Sequence, residues 1–160
     1  MSSFFTLLII GISLSMDAFS LALVYGMQGM TQKQKIFLSI IVGIYHFIMP
    51  IIGLSFGTIL SNINIISIDL IATLILIYIG VDLIISNLKQ EEDRLEINKS
   101  GFLIFGLSVS IDSLTLGIGL KAITDSYLMS STIFSLTSLF FTYLGLTLGN
   151  IIGKKIGSYS

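Results

Sequence analysis

Cysteine is absent from the 160 residues, which excludes thiolate metal sites and disulfides and leaves the redox compartment unreadable. Charge is scarce. Only 11% of residues are Asp, Glu, Lys or Arg, where a soluble domain carries about 25%. The net charge of −1 gives no basic footprint for nucleic acid. Ahead of the first apolar run there is no positively charged segment, and no A-x-A site follows it. That run therefore reads as a membrane helix that is kept and not as a cleaved signal. No P-loop or other nucleotide motif occurs.

Hydrophobic residues make up 54% of the chain. They fall in long runs separated by short polar connections. Each run is close to the roughly 20 residues that a helix needs to cross the hydrocarbon core. Five spans are predicted: Phe4–Tyr25, Ile36–Leu60, Ile65–Leu88, Gly101–Leu120 and Leu128–Ile152. The fold class is accordingly all-α, a polytopic transmembrane helix bundle in the lipid bilayer, forming one domain over 1–160. Lys33, Lys35, Lys89, Arg94, Lys99, Lys154 and Lys155 fall on one side of these spans and only Lys121 on the other. Basic residues in short loops stay cytoplasmic, which predicts an outside N-terminus and a cytoplasmic C-terminus in the cell membrane. The charged connection Lys89–Ser100 reads as a solvated loop.

The sequence also repeats itself. GISLSMDAFSLALV at 11–24 returns as GLSVSIDSLTLGIG at 106–119, and GLSFGTIL at 53–60 returns as GLTLGNII at 145–152. The two blocks keep their order. Repeat one spans 1–88 with three helices, and an odd number of helices per copy inserts the second copy upside down, as in many secondary transporters. Repeat two, 101–160, has two spans before Ser160. The expectation is five spans of a six-helix (3+3) inverted repeat, with the sixth helix missing. Hydroxyl and small residues left uncovered on the last two spans would then face lipid or a neighbouring chain, so a homo-oligomer is one expected arrangement.

Two ionisable residues stand inside the apolar runs. A carboxylate there costs at least about 2.5 kcal/mol on insertion scales. At 1.5 Å per residue, Asp17 lies about 4 Å to the cytoplasmic side of mid-span and Asp112 about 2 Å to the outer side. Ser13, Asp17 and Ser20 share one helix face at spacings i, i+4 and i+7. Ser108, Asp112 and Thr115 repeat that face. On the opposite side, Gly11, Ser15, Ala18 and Ala22 form a stripe of small residues matched by Gly106, Ser110, Ser113 and Gly117, which lets helices approach closely. The bland alternative is that each aspartate is a protonated, hydrogen-bonded helix glue. Recurrence at matched positions favours a site instead, and paired carboxylates with hydroxyls suit a hard cation such as Mn²⁺, Mg²⁺ or Ca²⁺.

His46 and Pro50 sit near the middle of the second span. Pro50 has no N–H to donate to the His46 carbonyl, which leaves a backbone oxygen beside an imidazole at mid-depth. His46 is a candidate ligand, and a hydrogen bond to a neighbouring helix is the competing reading. Ser138 and Thr142 hold the equivalent places in the last span. Asp69, Asp82 and Asn150 read as structural. The candidate metal set is thus Asp17, Asp112, Ser13, Ser108 and His46, with no catalytic or cofactor-binding residues.

At SMDAF (15–19) and SIDSLTLGIGL (110–120) the sequence resembles the MntP-type manganese efflux pumps. The resemblance extends to Gly43–Gly57 with P-x-x-G at 50–53 and to IIGKK at 151–155, and so covers nearly the whole chain. It implies six helices, an exterior N-terminus and export of Mn²⁺ as a transported substrate, with no cofactor. It also implies that Asp17 and Asp112 are the family's membrane aspartates. The chain departs from the family pattern at His46, where Glu or Gln is frequent, and at Ser86, where some members carry an acid.

The expected function is a secondary transporter exporting Mn²⁺ or a similar divalent cation, not an enzyme, with one repeat swinging against the other around the aspartates. A non-transporting membrane or sporulation-associated protein of the same fold is the alternative. An intramembrane aspartyl protease also needs two membrane carboxylates, but its Y-D and G-x-G-D signatures are missing.

Overall fold

The structure, a computed structural model, describes residues 2–61, 99–119 and 126–157. The predicted span Ile65–Leu88, residues 89–98 of the loop after it, and Asp69, Asp82, Ser86 and Lys121 lie outside the described residues, while Lys99 and Ser100, expected in that loop, are helical. Four helices are present: α1 Ser2–Gly26, α2 Gln32–Ser61, α3 Lys99–Gly119 and α4 Tyr127–Gly157. All four are long and apolar enough to cross a membrane, and they contain four of the five predicted spans except for Leu120, which lies outside the described residues. The chain is a multi-pass membrane helix bundle, with no strand among the described residues.

Local chemistry sets the one described turn. Gly29 has φ 83°, a left-handed conformation that glycine adopts without strain, and its N–H donates to the Gly26 carbonyl at 3.2 Å, closing α1. Thr31 then starts α2 with a reciprocal cap: the Gln34 N–H donates to Thr31 Oγ1 at 3.4 Å, and the Thr31 N–H donates to Gln34 Oε1 at 2.9 Å. The Asn150 side chain donates to the Met30 carbonyl at 2.7 Å, fastening this turn to α4. α2 runs unbroken through Pro50.

Packing does not follow chain order. α1 packs along α4, α2 packs along α3, and α2 crosses α4, whereas α1 and α2 hardly touch, nor do α3 and α4. In both long pairs glycine brings backbone against backbone. A Cβ on Gly149 would sit 1.9 Å from the Leu23 carbonyl oxygen, and one on Gly145 2.6 Å from that of Phe19. In the other pair, a Cβ on Gly53 would sit 2.1 Å from the Leu114 carbonyl oxygen and one on Gly57 2.8 Å from that of Ile118. Gly11 faces Phe134 and Thr137 while Gly153 faces Met27, so α1 and α4 run the same way. Gly106 faces Ile41 and Tyr45 while Gly117 faces Pro50, so α2 and α3 also run the same way. Because α1 turns back into α2, α1 and α3 run in opposite directions.

Apolar side chains form two clusters with a polar layer between them. Near the Gly29 turn, Ala18, Ala22 and Tyr25 of α1 pack with Leu38 and Val42 of α2, Phe102 and Phe105 of α3 and Leu146 of α4. At the far end, Leu7 packs with Ile133 and Phe134. Lys35 lies near enough to Lys154 for their charges to interact, so basic residues at the start of α2 and at the end of α4 share one end of the bundle.

Candidate metal centre

The small-residue stripes do what their composition predicts. Gly11, Ser15, Ala18 and Ala22 are buried, as are Gly106, Ser110, Ser113 and Gly117. This turns the polar faces of α1 and α3 outward, and Ser13, Asp17, Ser20, Ser108, Asp112 and Thr115 are all exposed among the described residues.

On that face the structure brings two predicted residues together. The carboxyl of Asp112 lies within hydrogen-bonding reach of that of Asp17. They arrive from helices that run in opposite directions and otherwise touch little, so the contact is made where the two helices cross. Two carboxylates at such range repel unless a proton or a cation lies between them. Ser13 donates to its own Ile9 carbonyl at 2.9 Å, and Ser20 donates to the Met16 carbonyl at 2.9 Å. A hydroxyl whose proton is committed to its own helix still offers oxygen lone pairs outward, beside the carboxyl of Asp17.

His46 is placed elsewhere. It is fully buried and pairs with Ser110, on the packed stripe of α3 and not on the face of Asp112. Ser110 donates to the Gly106 carbonyl at 2.6 Å, so its oxygen accepts from the imidazole at 3.1 Å. The same Nδ1–H is 3.0 Å from the Val42 carbonyl. The proton is therefore on Nδ1, and Nε2 is buried with no hydrogen-bond partner. A ligating histidine has this arrangement, one nitrogen donating to a carbonyl and the other open. Among the described residues, however, no three His, Asp or Glu side chains are gathered where they could hold one ion, so His46 does not join the aspartate pair in this conformation.

Sequence reasoning missed the companion of the His46 contact. Ser15 of α1 pairs with Ser138 of α4, oxygen to oxygen at 3.1 Å, with Ser15 also donating to the Gly11 carbonyl at 2.6 Å. Ser15 matches Ser110, and Ser138 matches His46. Given either contact, the repeat alignment yields the other. The glycine contacts obey the same correspondence: Gly11 against Thr137 matches Gly106 against Tyr45, and Gly53 against Leu114 matches Gly145 against Phe19.

The fold and the facing carboxyls define a polytopic membrane protein with an acidic pair where two of its apolar helices cross. Residues 29–160 match the family described as "Putative manganese efflux pump", and the chain belongs to that family. Among its relatives is the "Putative manganese efflux pump MntP" of Bacillus pumilus (strain SAFR-032), 34% identical over 97% of this chain and 85% of the relative. The protein of the same name from Geobacillus thermodenitrificans (strain NG80-2) is 31% identical over 95% of this chain and 84% of its own length. That of Desulforamulus reducens is 31% identical over 97% and 88%. No solved structure matches the chain.

Proposed function

We propose that this protein is a secondary transporter exporting Mn²⁺ or a similar divalent cation from the cytoplasm. In this reading it moves an ion and transforms no substrate. The observation that carries it is the meeting of Asp17 and Asp112 from matched positions on oppositely directed helices. Together they offer up to two negative charges in a setting where a hard divalent cation relieves their repulsion. Ser13 and Ser108, one turn before each aspartate, add oxygens on the same faces. His46 lies apart from the pair in this conformation, with its Nε2 open to a ligand. The names of the relatives support manganese as the cargo, and nothing observed favours a non-transporting role.

The same reading takes the chain as an inverted repeat. Matched contacts on both helix pairs and the opposite directions of α1 and α3 support it. For α2 and α3 to run the same way the chain must recross the bundle between them, and we assign that crossing to the apolar run Ile65–Leu88. The basic end then faces the cytoplasm. Cysteine at Gln28, in the α1–α2 turn, is expected to resist impermeant thiol reagents in intact cells, while cysteine at Ser2 is labelled. The opposite pattern reverses the orientation.

The test of the site is Asp17→Asn and Asp112→Asn in an exporter-deficient host. Each amide keeps the size of the side chain but removes its charge. Manganese tolerance should fall at least tenfold with membrane insertion intact. Full tolerance in both variants sinks the assignment.

A further inference from the structure

An alternating-access transporter needs two bodies that move against each other. The sequence makes the two repeats the natural bodies, but the packing argues against it. Within each repeat the described helices hardly touch, and every extensive contact among the described residues joins one repeat to the other. The closest of these contacts are backbone to backbone, at Gly145 and Gly149 in the α1–α4 pair and at Gly53, Gly57 and Gly117 in the α2–α3 pair. Interlocked backbones of this kind do not slide without collision. Each pair also carries its own buried hydrogen bond, Ser15 to Ser138 in one and His46 to Ser110 in the other.

The contacts between the two pairs differ in kind. α2 packs on α4 around Gly43, where a Cβ would meet the Leu139 side chain at 3.2 Å and the Ser135 carbonyl oxygen only at 3.4 Å, and Gln32 donates to the Tyr143 hydroxyl nearer the basic end. α1 meets α3 only lightly, and the contacts seen there are between side chains. Tyr25 lies against Phe105 and Phe102 at the basic end, with ring centroids 5.0 and 6.4 Å apart, and Asp17 faces Asp112 further along. Edge-on and tilted aromatic contacts of this type separate and re-form without threading one backbone past another.

Resting on the transport reading above, we infer that the moving bodies are the cross-repeat pairs, α1 with α4 and α2 with α3. They pivot where α2 packs on α4 around Gly43, and they part along the strip between α1 and α3. The Tyr25–Phe102–Phe105 contact is the gate at the basic end, closed in this conformation. Its opening exposes the aspartate pair to that side of the membrane.

The chain has no cysteine, so introduced pairs are the only thiols. Ser15→Cys with Ser138→Cys ties α1 to α4 by a disulfide. Tyr25→Cys with Phe105→Cys, joined by a short bifunctional thiol reagent, ties α1 to α3 across the gate. In proteoliposomes the oxidised first variant should export Mn²⁺ within twofold of its reduced rate, and the bridged second variant should lose at least tenfold. The inference is overturned if the first disulfide stops export reversibly, if it never forms, or if bridging the gate leaves the rate unchanged. Should either variant be inactive before it is joined, cross-linking rates in membranes decide. Added Mn²⁺ should change the rate severalfold across the gate and not within the α1–α4 pair, and an equal response in both overturns the inference. An unaltered chain that fails to export Mn²⁺ defeats the transport reading itself. An active unaltered chain stopped by the first disulfide defeats only the assignment of the moving bodies.

Discussion

The α1–α4 and α2–α3 pairs are two versions of one device. Glycines at matched positions draw the backbones together in both, and a side chain at the same depth reaches across to a serine in both. The versions part at that side chain: Ser138 in one, His46 in the other, followed one turn later by Thr142 or Pro50. The shared part is scaffold, because backbone approach depends only on the absence of a Cβ and so survives divergence of everything else. The differing part is where the two halves take on separate chemistry. A serine pair satisfies itself, whereas the imidazole keeps one nitrogen without a partner.

The largest way to break this symmetry is to fill a glycine contact. In Gly149→Leu the new side chain would start 1.9 Å from the Leu23 carbonyl oxygen, and in Gly57→Leu 2.8 Å from that of Ile118. Over-packing costs about 1–3 kcal/mol where neighbours give way, and backbone gives way less than side chains do. Both variants are expected to accumulate poorly in membranes and to unfold at lower temperature in detergent, Gly149→Leu the more severely. Gly119, with nothing within 4 Å of its added Cβ, is the control whose Ala variant should behave as the parent. Equal behaviour of all three would mean that the glycines do not set helix approach.

A smaller effect is expected where the halves differ. His46→Ala removes a fully buried ring together with its bond to Ser110, a truncation in the range of about 2–4 kcal/mol. His46→Gln keeps a side-chain donor for Ser110 and most of the volume, and should recover more than half of that loss in thermal unfolding. If Ala and Gln are equally damaging, the Ser110 contact is not what the imidazole supplies to stability.

Most of this arrangement was legible in the residues. Spacing alone separated the packed stripe of α1 from the face of Asp17, since 3.6 residues per turn fixes which side chains share a side. The repeat alignment paired Asp17 with Asp112 before any distance was known. Which helix packs on which was not legible, because small-residue stripes announce a close neighbour without naming it. Chain order groups the helices by repeat, whereas the backbone contacts of Gly149 with Leu23 and of Gly53 with Leu114 join helices of different repeats. His46 was ambiguous for a related reason. Ligand and helix tie require the same imidazole at the same depth, and only the contacts with the Val42 carbonyl and Ser110 show which nitrogen is occupied.

The smallest prediction concerns Ser138, the counterpart of His46. Ser15 commits its proton to the Gly11 carbonyl at 2.6 Å, so in the 3.1 Å contact Ser138 is the donor and Ser15 the acceptor. Ser138→Ala therefore removes one donor and leaves no donor stranded, since Ser15 keeps its own bond. The hole left is a single oxygen, too small for a cavity penalty like that of a truncated ring. Interhelical hydrogen bonds in membranes average about 0.6 kcal/mol, and the variant should lose about that much in unfolding experiments while exporting Mn²⁺ at the parent rate. Ser15→Ala should cost little more, because it strands the Ser138 hydroxyl, which can rotate toward its own helix. A loss from Ser138→Ala as large as that from His46→Ala would mean that the two pairs lean on this layer equally, and that the imidazole adds nothing beyond a polar contact to the half that carries it.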